Sequence, residues 1–367
     1  MKKRILLYVL CALLASPMAA KCDEPVRRGL FVTVLQEPQV LSSREEIGKL
    51  VDFAKRARVN VIFVQVYYAN RAWFPSKAAD RGPYDACVKK LSADPLRLLI
   101  TQAHGAGIGV HAWMNMLSLG GNKDAGLLKK YGTGILTRNL KEKRGIEDYK
   151  IDGQYFLEPG DTRVREELLN VAEEIVRAYP DLDGVQFDYI RYPDHQPAYG
   201  YADMNVERFK KATGLAAIDE KSIAWQDWKR AQVTELLEQL AERVRSIRQG
   251  IEISATGCMP YSRAYLEAFQ DWPSWLERHL VDFITVMSYS PDPAELKRWI
   301  TTAKSKTADF RKVTIGLGAY KLVRSPGAFE REFRDCEKAG AGGCAIFHYG
   351  SLLKNAALGD FLAGGRK

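Results

Sequence analysis

The residues with the clearest chemical potential follow a short apolar run in the middle of the chain. Residues 183–193 have the sequence DGVQFDYIRYP, in which apolar residues alternate with polar or small ones. This alternation predicts a short buried strand that ends at Asp188, with Arg191 and Tyr192 in the turn that follows. In folds built on parallel strands, the carboxyl ends of the strands hold the catalytic groups. We therefore take Asp188 as the candidate catalytic carboxylate; the alternative is a structural ion pair between Asp188 and Arg191.

Polar and aromatic side chains also occur near the ends of the other predicted strands. Because alternate residues of a strand share one face, residues two apart are expected to face the same space. Amides, imidazoles and aromatic rings around one carboxylate are typical of sugar-binding sites. His111 taken alone is as well explained as a core histidine. The candidates for substrate contact are Gln65 and Tyr67 on the second strand, His111, Trp113 and Asn115 on the third, Arg191 and Tyr192 after the fourth, Tyr289 on the sixth and His348 on the eighth.

A sugar-cleaving site usually needs two carboxyl groups, one on each side of the scissile bond. Glu158 is the best second candidate, because it lies in a turn that follows the third strand and its loop. Its alternative role is a charge at the entry of the next helix, where the helix dipole favours an acid. Asp194 and Asp203, in the loop after the fourth strand, are weaker candidates.

The elements that must position these residues alternate regularly along the chain. Eight apolar runs alternate with segments that repeat apolar residues at helical spacing. This order predicts an α/β fold, and eight units predict a single-domain (β/α)8 TIM barrel with long loops after strands three and four. A doubly wound open sheet is the alternative, but no GxGxxG motif follows the first strand. The predicted strands are 29–34, 59–68, 108–116, 183–188, 251–256, 282–289, 313–320 and 343–349.

The first residues have the features of a bacterial secretory signal. A basic start precedes an apolar run over 5–14, and small residues at 17–20 offer a cleavage site. The apolar run is too short to span a bilayer. We therefore predict a signal peptide over 1–22, a barrel domain over 23–367, and a periplasmic or extracellular location. Cys22 makes a lipoprotein the weaker alternative, because a lysine precedes it where lipid attachment favours a small residue.

The charge balance excludes one class of partner. The chain has 54 Lys and Arg against 45 Asp and Glu, a formal net charge of +9. Cleavage after Ala20 would remove the three basic residues at the start and no acid, which leaves +6. No block of Lys and Arg is long enough for a nucleic-acid-binding stripe. We expect a polysaccharide partner, no nucleic acid and no transmembrane helix in the mature chain; the sequence leaves the oligomeric state open.

The cysteines and histidines give no metal-binding pattern. The cysteines form no CxxC pair, and the five histidines are spread over the chain. We therefore expect no metal and no cofactor. Cys336 and Cys344 could form a disulfide in an oxidising compartment, and free buried thiols are at least as good an alternative.

Taken together, these segments resemble glycosyl-hydrolase-like family 10, whose members are secreted or lipid-anchored bacterial barrel proteins, some of which act on envelope glycan strands. The resemblance rests on DGVQFDYIRYP, VQV, HAW, LEPGDTRVRE, QDWPSWL and VMSYS, which occur in the family's order between about Arg28 and Tyr349. It implies a (β/α)8 fold, a carbohydrate substrate and an important acid at Asp188. Two positions depart from the family and bear on substrate preference: Glu158, where relatives usually carry Asp, and Tyr67, where they often carry Arg.

The fourth strand also resembles the DGxDxDxE motif of chitinases. Asp183, Gly184 and Asp188 fit the motif, but Gln186 replaces one acid and Ile190 stands where the catalytic Glu belongs. The chitinase mechanism is therefore excluded. The M-x-Y of strand six is shared with chitinases, where the tyrosine contacts an acetamido group, and this likeness favours an N-acetylated sugar.

These observations favour a secreted glycoside hydrolase that cleaves O-glycosidic bonds of a bacterial envelope polysaccharide, with peptidoglycan glycan strands as the leading substrate. Asp188 and Glu158 would be the catalytic pair, and Arg191 would hold Asp188 ionised. A non-catalytic glycan-binding barrel that acts in envelope remodelling is the alternative, since the second carboxylate is the weaker prediction. A lyase or esterase has less support, because no GxSxG motif is present.

Overall fold

Eight parallel strands form a closed barrel in the computed structural model, which describes residues 26–364. Each strand is hydrogen-bonded to the next in chain order, and β1 pairs with both β2 and β8, which closes the cylinder. The predicted (β/α)8 barrel is thus confirmed. The signal peptide predicted over 1–22 lies outside the described residues. The strands are β1 Arg27–Val32, β2 Val61–Tyr68, β3 Gly109–Asn115, β4 Gly184–Asp188, β5 Glu252–Cys258, β6 Phe283–Ser288, β7 Val313–Gly318 and β8 Gly343–Phe347.

The barrel interior is filled by a small cluster of mainly aromatic side chains. Phe31 and Phe63 stack with ring centroids 4.6 Å apart, and Trp113 meets Phe31 edge-on at 5.3 Å. Phe283 and Ala345 belong to the same buried cluster. The aliphatic residues between these positions pack outward with the residues of the helices, because successive side chains of a strand point to opposite faces.

Helices cover the outside of the barrel, and several begin where a side chain caps the first turn. Ser43, Asp94, Asp161 and Asp292 each accept a hydrogen bond from a backbone N–H of the helix that follows. No helix among residues 26–364 is both long and apolar enough to cross a membrane. The helices are α1 Arg44–Arg56, α2 Gly82–Leu91, α3 Pro95–Gly105, α4 Gly126–Tyr131, α5 Thr162–Ala178, α6 Asp203–Thr213, α7 Ile223–Ile247, α8 Tyr261–Leu266, α9 Trp272–Glu277, α10 Pro293–Ser305, α11 Pro326–Lys338, α12 Tyr349–Leu353 and α13 Ala356–Leu362.

The long segment after β3 has structure of its own. Ser118–Gly120 pairs antiparallel with Tyr155–Phe156, so the two ends of the segment are tied together beside the barrel. Helix α4 and two short 3-10 turns, Gly132–Ile135 and Ile146–Tyr149, lie between them. The long loop predicted after strand three is therefore a partly helical segment at the carboxyl ends of the strands, and strand pairing holds its two ends together.

The pairing of β3 with β4 decides which of the predicted residues can meet. His111 lies opposite Gly184 at the start of β4, whereas Asn115 lies opposite Asp188 at its end. The two levels are four residue steps apart along the strand, a distance of about 13 Å at about 3.3 Å per residue. A Cβ atom on Gly184 would overlap the His111 imidazole, so only glycine fits beside that ring. His111 therefore lies toward the floor of the barrel, and Asn115 and Asp188 lie at its mouth.

Cys336 and Cys344 form a disulfide that joins α11 to the beginning of β8. Their Cα atoms are 6.1 Å apart, which is within the range that disulfides span. Cys87 and Cys258 are free and buried. Of the two alternatives for Cys336 and Cys344, the structure contains the bonded one.

Glu332 on α11 is expected to make the stability of the protein depend on pH. The residue is 1% exposed, and neither carboxyl oxygen has a hydrogen-bond partner among the described residues. Burial and, second, the charge of Asp335 raise the pKa of Glu332 from 4.5 to about 7. The folded state therefore binds more protons than the unfolded state between these pH values, and stability falls as pH rises through that window. We expect Glu332→Gln to remove roughly 1–3 kcal/mol of this pH dependence.

Urea unfolding of wild type and Glu332→Gln at both ends of the window measures this effect. Glu330→Gln on the same helix is the matched control, because Glu330 forms a surface ion pair with Arg334 and surface pairs contribute little. An equal pH dependence in wild type and Glu332→Gln would contradict the prediction.

Candidate active site

A cleft of about 670 Å³ opens where the carboxyl ends of the barrel strands meet. The segment after β3 contributes Gly121, Gly153 and Gln154 to its wall. Six of the predicted site residues line the cleft, and the other five lie elsewhere. Those in the lining are Gln65, Trp113, Asn115, Asp188, Arg191 and Tyr289; those outside it are Tyr67, His111, Glu158, Tyr192 and His348.

Asp188 is 5% exposed and accepts four hydrogen bonds. Its Oδ2 accepts from Trp113 Nε1 at 3.0 Å. Its Oδ1 accepts from Thr256 Oγ1 at 2.5 Å, from the backbone N–H of Tyr189 at 2.7 Å and from Arg191 Nη1 at 3.2 Å. Because every one of these partners donates, the carboxylate is held as an acceptor in one fixed orientation.

Tyr189 turns the chain sharply at the end of β4. Its φ is +55°, in the left-handed region that residues with a Cβ rarely adopt. This turn brings the N–H of Tyr189 back onto the carboxylate of Asp188 and places its ring over the guanidinium of Arg191, 4.1 Å from the ring centroid. The strand pattern of the sequence carries no signal for this reversal, and Tyr189 was not among the predicted site residues.

Arg191 joins Asp188 to a second carboxylate in the same cleft. Arg191 Nη1 lies 3.2 Å from Asp188 Oδ1, and its Nε lies 3.3 Å from Asp194 Oδ1. The Asp194 side chain is 32% exposed, against 7% for Asp188, and it accepts from the Cys258 thiol at 3.4 Å. Burial raises the pKa of Asp194, but Arg191 and then Arg263 outweigh burial and hold it below its ordinary value. The weaker sequence candidate Asp194 is thus the carboxylate that shares the Arg191 guanidinium with Asp188.

Gln65 and Asn115 form a short polar chain beside Asp188. Gln65 Oε1 accepts from Thr33 Oγ1 at 2.7 Å and from the N–H of Val34 at 3.1 Å. With its oxygen fixed in this way, Gln65 donates from Nε2 to Asn115 Oδ1 at 3.1 Å. The Asn115 amide nitrogen is then directed away from Gln65, and the residue lines the cleft.

Aromatic rings form the wall of the cleft next to the carboxylates. Tyr289 stacks on Phe347 with centroids 5.2 Å apart, and Trp113 meets Phe347 edge-on at 5.8 Å. Burial and, second, the charge of Asp188 raise the pKa of Tyr289, so its hydroxyl keeps its proton. Trp113 and Tyr289 therefore lie where the sequence predicted aromatic contacts, and Phe347 adds a surface that the prediction lacked.

Tyr67 is turned out of the cleft by irregular pairing of β2. The register between β2 and β3 shifts between Gln65 and Tyr67, so these residues do not share a face as strict alternation predicted. Tyr67 is fully buried and accepts a hydrogen bond from Asn70 Nδ2 at 3.3 Å, and burial raises its pKa to about 12. Tyr68 lines the cleft in its place.

The two predicted histidines lie outside the cleft lining and have different surroundings. His111 Nε2 lies 3.2 Å from Glu252 Oε2 near the barrel floor, and its ring meets Phe63 edge-on at 5.3 Å. The alternative of a core histidine therefore describes His111. His348 follows Phe347 and packs on it with centroids 5.2 Å apart. Burial lowers the pKa of His348 to about 4, so its imidazole is neutral near pH 7.

Glu158 lies behind the cleft wall, fully buried, and binds the loop that follows β4 (residues 189–202, the β4 loop). Its Oε1 accepts from the Tyr192 hydroxyl at 2.5 Å and from the N–H of Gly160 at 3.3 Å. Asn205 Nδ2 donates to the Tyr192 hydroxyl at 3.4 Å and to the carbonyl of Gly200 at 2.7 Å. Burial raises the pKa of Glu158 and of Tyr192. The predicted catalytic acid and the predicted sugar-binding tyrosine are therefore partners of each other.

Lys229 on α7 is buried and binds backbone carbonyls of the β4 loop. Its Nζ donates to the carbonyls of Pro197 at 2.6 Å and Tyr199 at 3.3 Å, and it lies 3.7 Å from the ring centroid of Phe269. Burial lowers the pKa of Lys229 to about 7, against the attraction of Glu158. Since the β4 loop carries Asp194 as well, these buried contacts help to fix the second carboxylate.

The structure also places in the cleft several residues that the sequence argument missed. Thr256 is the last residue of the predicted strand five. A polar residue at the end of a barrel strand is expected at the mouth, so the sequence could have identified it. Arg263 and Tyr320 lie beyond strand ends, where no periodic pattern marks them. Among residues 26–364, no group of three or more His, Cys, Asp or Glu side chains could hold a metal ion.

Tyr192→Phe is expected to destabilise the fold rather than weaken sugar binding. The change removes the hydroxyl group that donates to the fully buried Glu158 carboxyl, which should lower the free energy of unfolding by about 1–3 kcal/mol. Urea unfolding measures the effect, and Tyr149→Phe, at a partly exposed tyrosine outside the cleft, is the control. Weaker glycan binding with unchanged stability would instead favour the role in substrate contact.

Comparison with known sequences identifies relatives along most of the chain. A family model described as Glycosyl hydrolase-like 10 matches residues 27–335. The protein named glycosyl hydrolase DigH of Escherichia coli (strain K12) is 27% identical over 301 residues, which cover 75% of this chain and 65% of DigH. The protein of the same name from Shigella flexneri matches to the same extent. The chain therefore spans somewhat less than two thirds of the length of these curated relatives.

Comparison with solved structures supports the same architecture. The glycoside hydrolase domain of PgaB (BpsB) from Bordetella bronchiseptica superposes with a TM-score of 0.69 at 15% identity and covers 93% of this chain and 99% of that chain. The catalytic domain of β-amylase from Paenibacillus polymyxa has a TM-score of 0.60 at 12% identity, with 93% and 98% covered. At such identities the likeness establishes the barrel fold alone. Because the family model matches most of this chain, the chain belongs to glycosyl hydrolase-like family 10.

Proposed function

We propose that this protein is a glycoside hydrolase in which Asp188 and Asp194 are the two working carboxylates. The observation that carries the proposal is that both line one cleft and bind one guanidinium, that of Arg191. Membership of a glycosyl hydrolase-like family and the likeness of the barrel to the glycoside hydrolase domain of PgaB support a glycan-acting hydrolase. Asp194 takes the role first assigned to Glu158, because Glu158 is fully buried behind the cleft.

The two carboxylates differ in a way that divides the chemistry between them. Asp188 is nearly buried and held by four donors, so it supplies a fixed negative charge beside the anomeric carbon, where positive charge develops in the transition state. Asp194 is more exposed and can exchange a proton with the substrate or with water. Asn115 and Tyr289 would orient the sugar through its hydroxyls and its ring face.

The cleft chemistry favours an N-acetylated envelope glycan, and we propose peptidoglycan glycan strands as the first substrate to test. Stacking rings next to amide donors suit a sugar polymer, and Tyr289, the tyrosine of the M-x-Y at the end of β6, lines the cleft. The likeness of this M-x-Y to that of chitinases supports an N-acetylated sugar. A signal peptide over 1–22 would deliver the protein to the periplasm or the outside of the cell, where that polymer occurs. The mildly basic mature chain suits an anionic envelope.

A glycan-binding barrel without turnover is the second candidate function. It is favoured by the lowered pKa of Asp194, because a general acid in a glycosidase usually has a raised pKa. This alternative predicts saturable binding of glycan strands by the intact protein, with no product after long incubation.

Asp188→Asn and Asp194→Asn are each expected to lower kcat by at least about 100-fold, the usual contribution of a positioned catalytic group. Each substitution keeps the shape of the side chain and removes its charge. The assay is the release of reducing ends from purified peptidoglycan glycan strands. Asp52→Asn, on the exposed surface of α1, is the matched control and should leave the rate unchanged. Undiminished activity in Asp188→Asn would refute the assignment.

Arg263→Met is expected to move an ionisation in the pH–rate profile to higher pH. In the wild type the pKa of Asp194 lies below its ordinary 3.8, in part because of Arg263. Loss of this cation destabilises the carboxylate, so the pKa of Asp194 should rise and the limb that reports it should move upward. The measurement is kcat/KM across the acidic range at low salt, with Lys304→Met, an exposed lysine on α10, as the control. Superimposable profiles would exclude Asp194 as the titrating group.

A further inference from the structure

Tyr320 is an exposed aromatic side chain at the edge of the cleft. It follows β7 in the short 3-10 turn Ala319–Lys321 and lines the cleft. The residue is 43% exposed, and it is the one aromatic residue among the exposed large hydrophobic residues of 26–364. An aromatic ring that stays in contact with water beside a binding cleft is a surface on which a ligand can stack.

The ring is held in place by the aromatic wall of the cleft. It meets Tyr289 at 5.9 Å and Phe347 at 5.9 Å between centroids, both edge to face. Gly318 permits this packing, because a Cβ atom there would lie 3.0 Å from Cβ of Tyr289. A ring fixed by two neighbours loses little further conformational entropy when a ligand covers it.

An unbroken row of rings connects Tyr320 to the proposed catalytic carboxylate. Trp113 donates to Asp188 at 3.0 Å and meets Phe347 at 5.8 Å, and Phe347 meets Tyr320 at 5.9 Å. The row therefore begins at the carboxylate and ends at the rim, two ring-to-ring steps away. A glycan that extends along this row from Asp188 brings a later sugar unit to Tyr320.

We propose that Tyr320 forms a distal subsite that stacks on a sugar unit beyond the one beside Asp188. Trp299 on α10 and Leu35 after β1 line the same cleft. The cleft then selects for glycan chains long enough to reach from Asp188 to Tyr320. This inference rests on the proposed function, since it names the part of a glycan polymer that the same cleft binds.

Chain-length dependence tests the subsite directly. The probes are oligomers of increasing length, prepared from purified peptidoglycan glycan strands and separated by size. Wild-type kcat/KM should rise with length until the subsite is filled. Tyr320→Ala should lower kcat/KM about three- to tenfold on long oligomers and leave the shortest cleaved oligomer unaffected. Tyr320→Phe, which keeps the ring, should retain the length dependence.

Leu353→Ala on α12 is the matched control, because Leu353 is 44% exposed and lies outside the cleft lining. Equal losses on all lengths, or an unchanged length dependence in Tyr320→Ala, would overturn the subsite. If the wild type cleaves no oligomer, the proposed hydrolysis fails, and calorimetric titration of the same oligomers decides the subsite. A length-dependent affinity that Tyr320→Ala abolishes supports it, and affinity that does not depend on length or on Tyr320 refutes it.

Discussion

The site depends on one arrangement of charge, in which the Arg191 guanidinium lies between the carboxylates of Asp188 and Asp194. Two carboxylates close together repel each other, and a cation between them offsets that repulsion where little water is present to screen it. Removal of one partner from a buried pair typically costs about 3–5 kcal/mol, because the remaining charge is left uncompensated. The position of Arg191 therefore controls both the stability of the mouth and the geometry of the proposed chemistry.

The chain fixes Arg191 from both sides of its sequence position. Before it, the left-handed turn at Tyr189 sends the backbone back over Asp188. After it, Tyr192 is anchored by its hydroxyl on Glu158 and by its N–H on the carbonyl of Ala268. The contacts of Tyr192 lie outside the cleft, yet they hold the loop whose residues line it, and such support preorganises a site.

Glu158 is fully buried outside the cleft lining, where it binds the β4 loop. A carboxylate in a turn beside the barrel mouth has the right chemistry for catalysis, and the sequence could not distinguish it from a buried anchor. The distinction comes from the β4 loop, which folds Tyr192 inward onto Glu158 and Asp194 outward into the cleft. Only Pro193 separates Tyr192 from Asp194, and the direction of the backbone between them decides which carboxylate lies in the cleft.

Most of the fold could be predicted from the sequence, because its determinants are local. Buried strands carry continuous apolar runs, helices carry a periodic apolar face and a capping side chain, and eight repeats of this unit close into a barrel. Asp188 was predictable for the same reason, as the polar residue at the end of such a run. Trp113, Asn115 and Tyr289 follow from alternation along regular strands, and the structure places all three in the cleft.

The remainder was decided by tertiary structure. Tyr67 lies outside the cleft because an irregularity in the pairing of β2 with β3 interrupts the alternation of side chains along β2. The pairing between two strands is not encoded in either strand alone. His111 lies on the expected strand but at the level of the floor, which only the register with β4 reveals. The sequence by itself determined the barrel and one carboxylate at its mouth. The second carboxylate was set by the path of an irregular loop, whose conformation depends on buried contacts with residues distant in sequence.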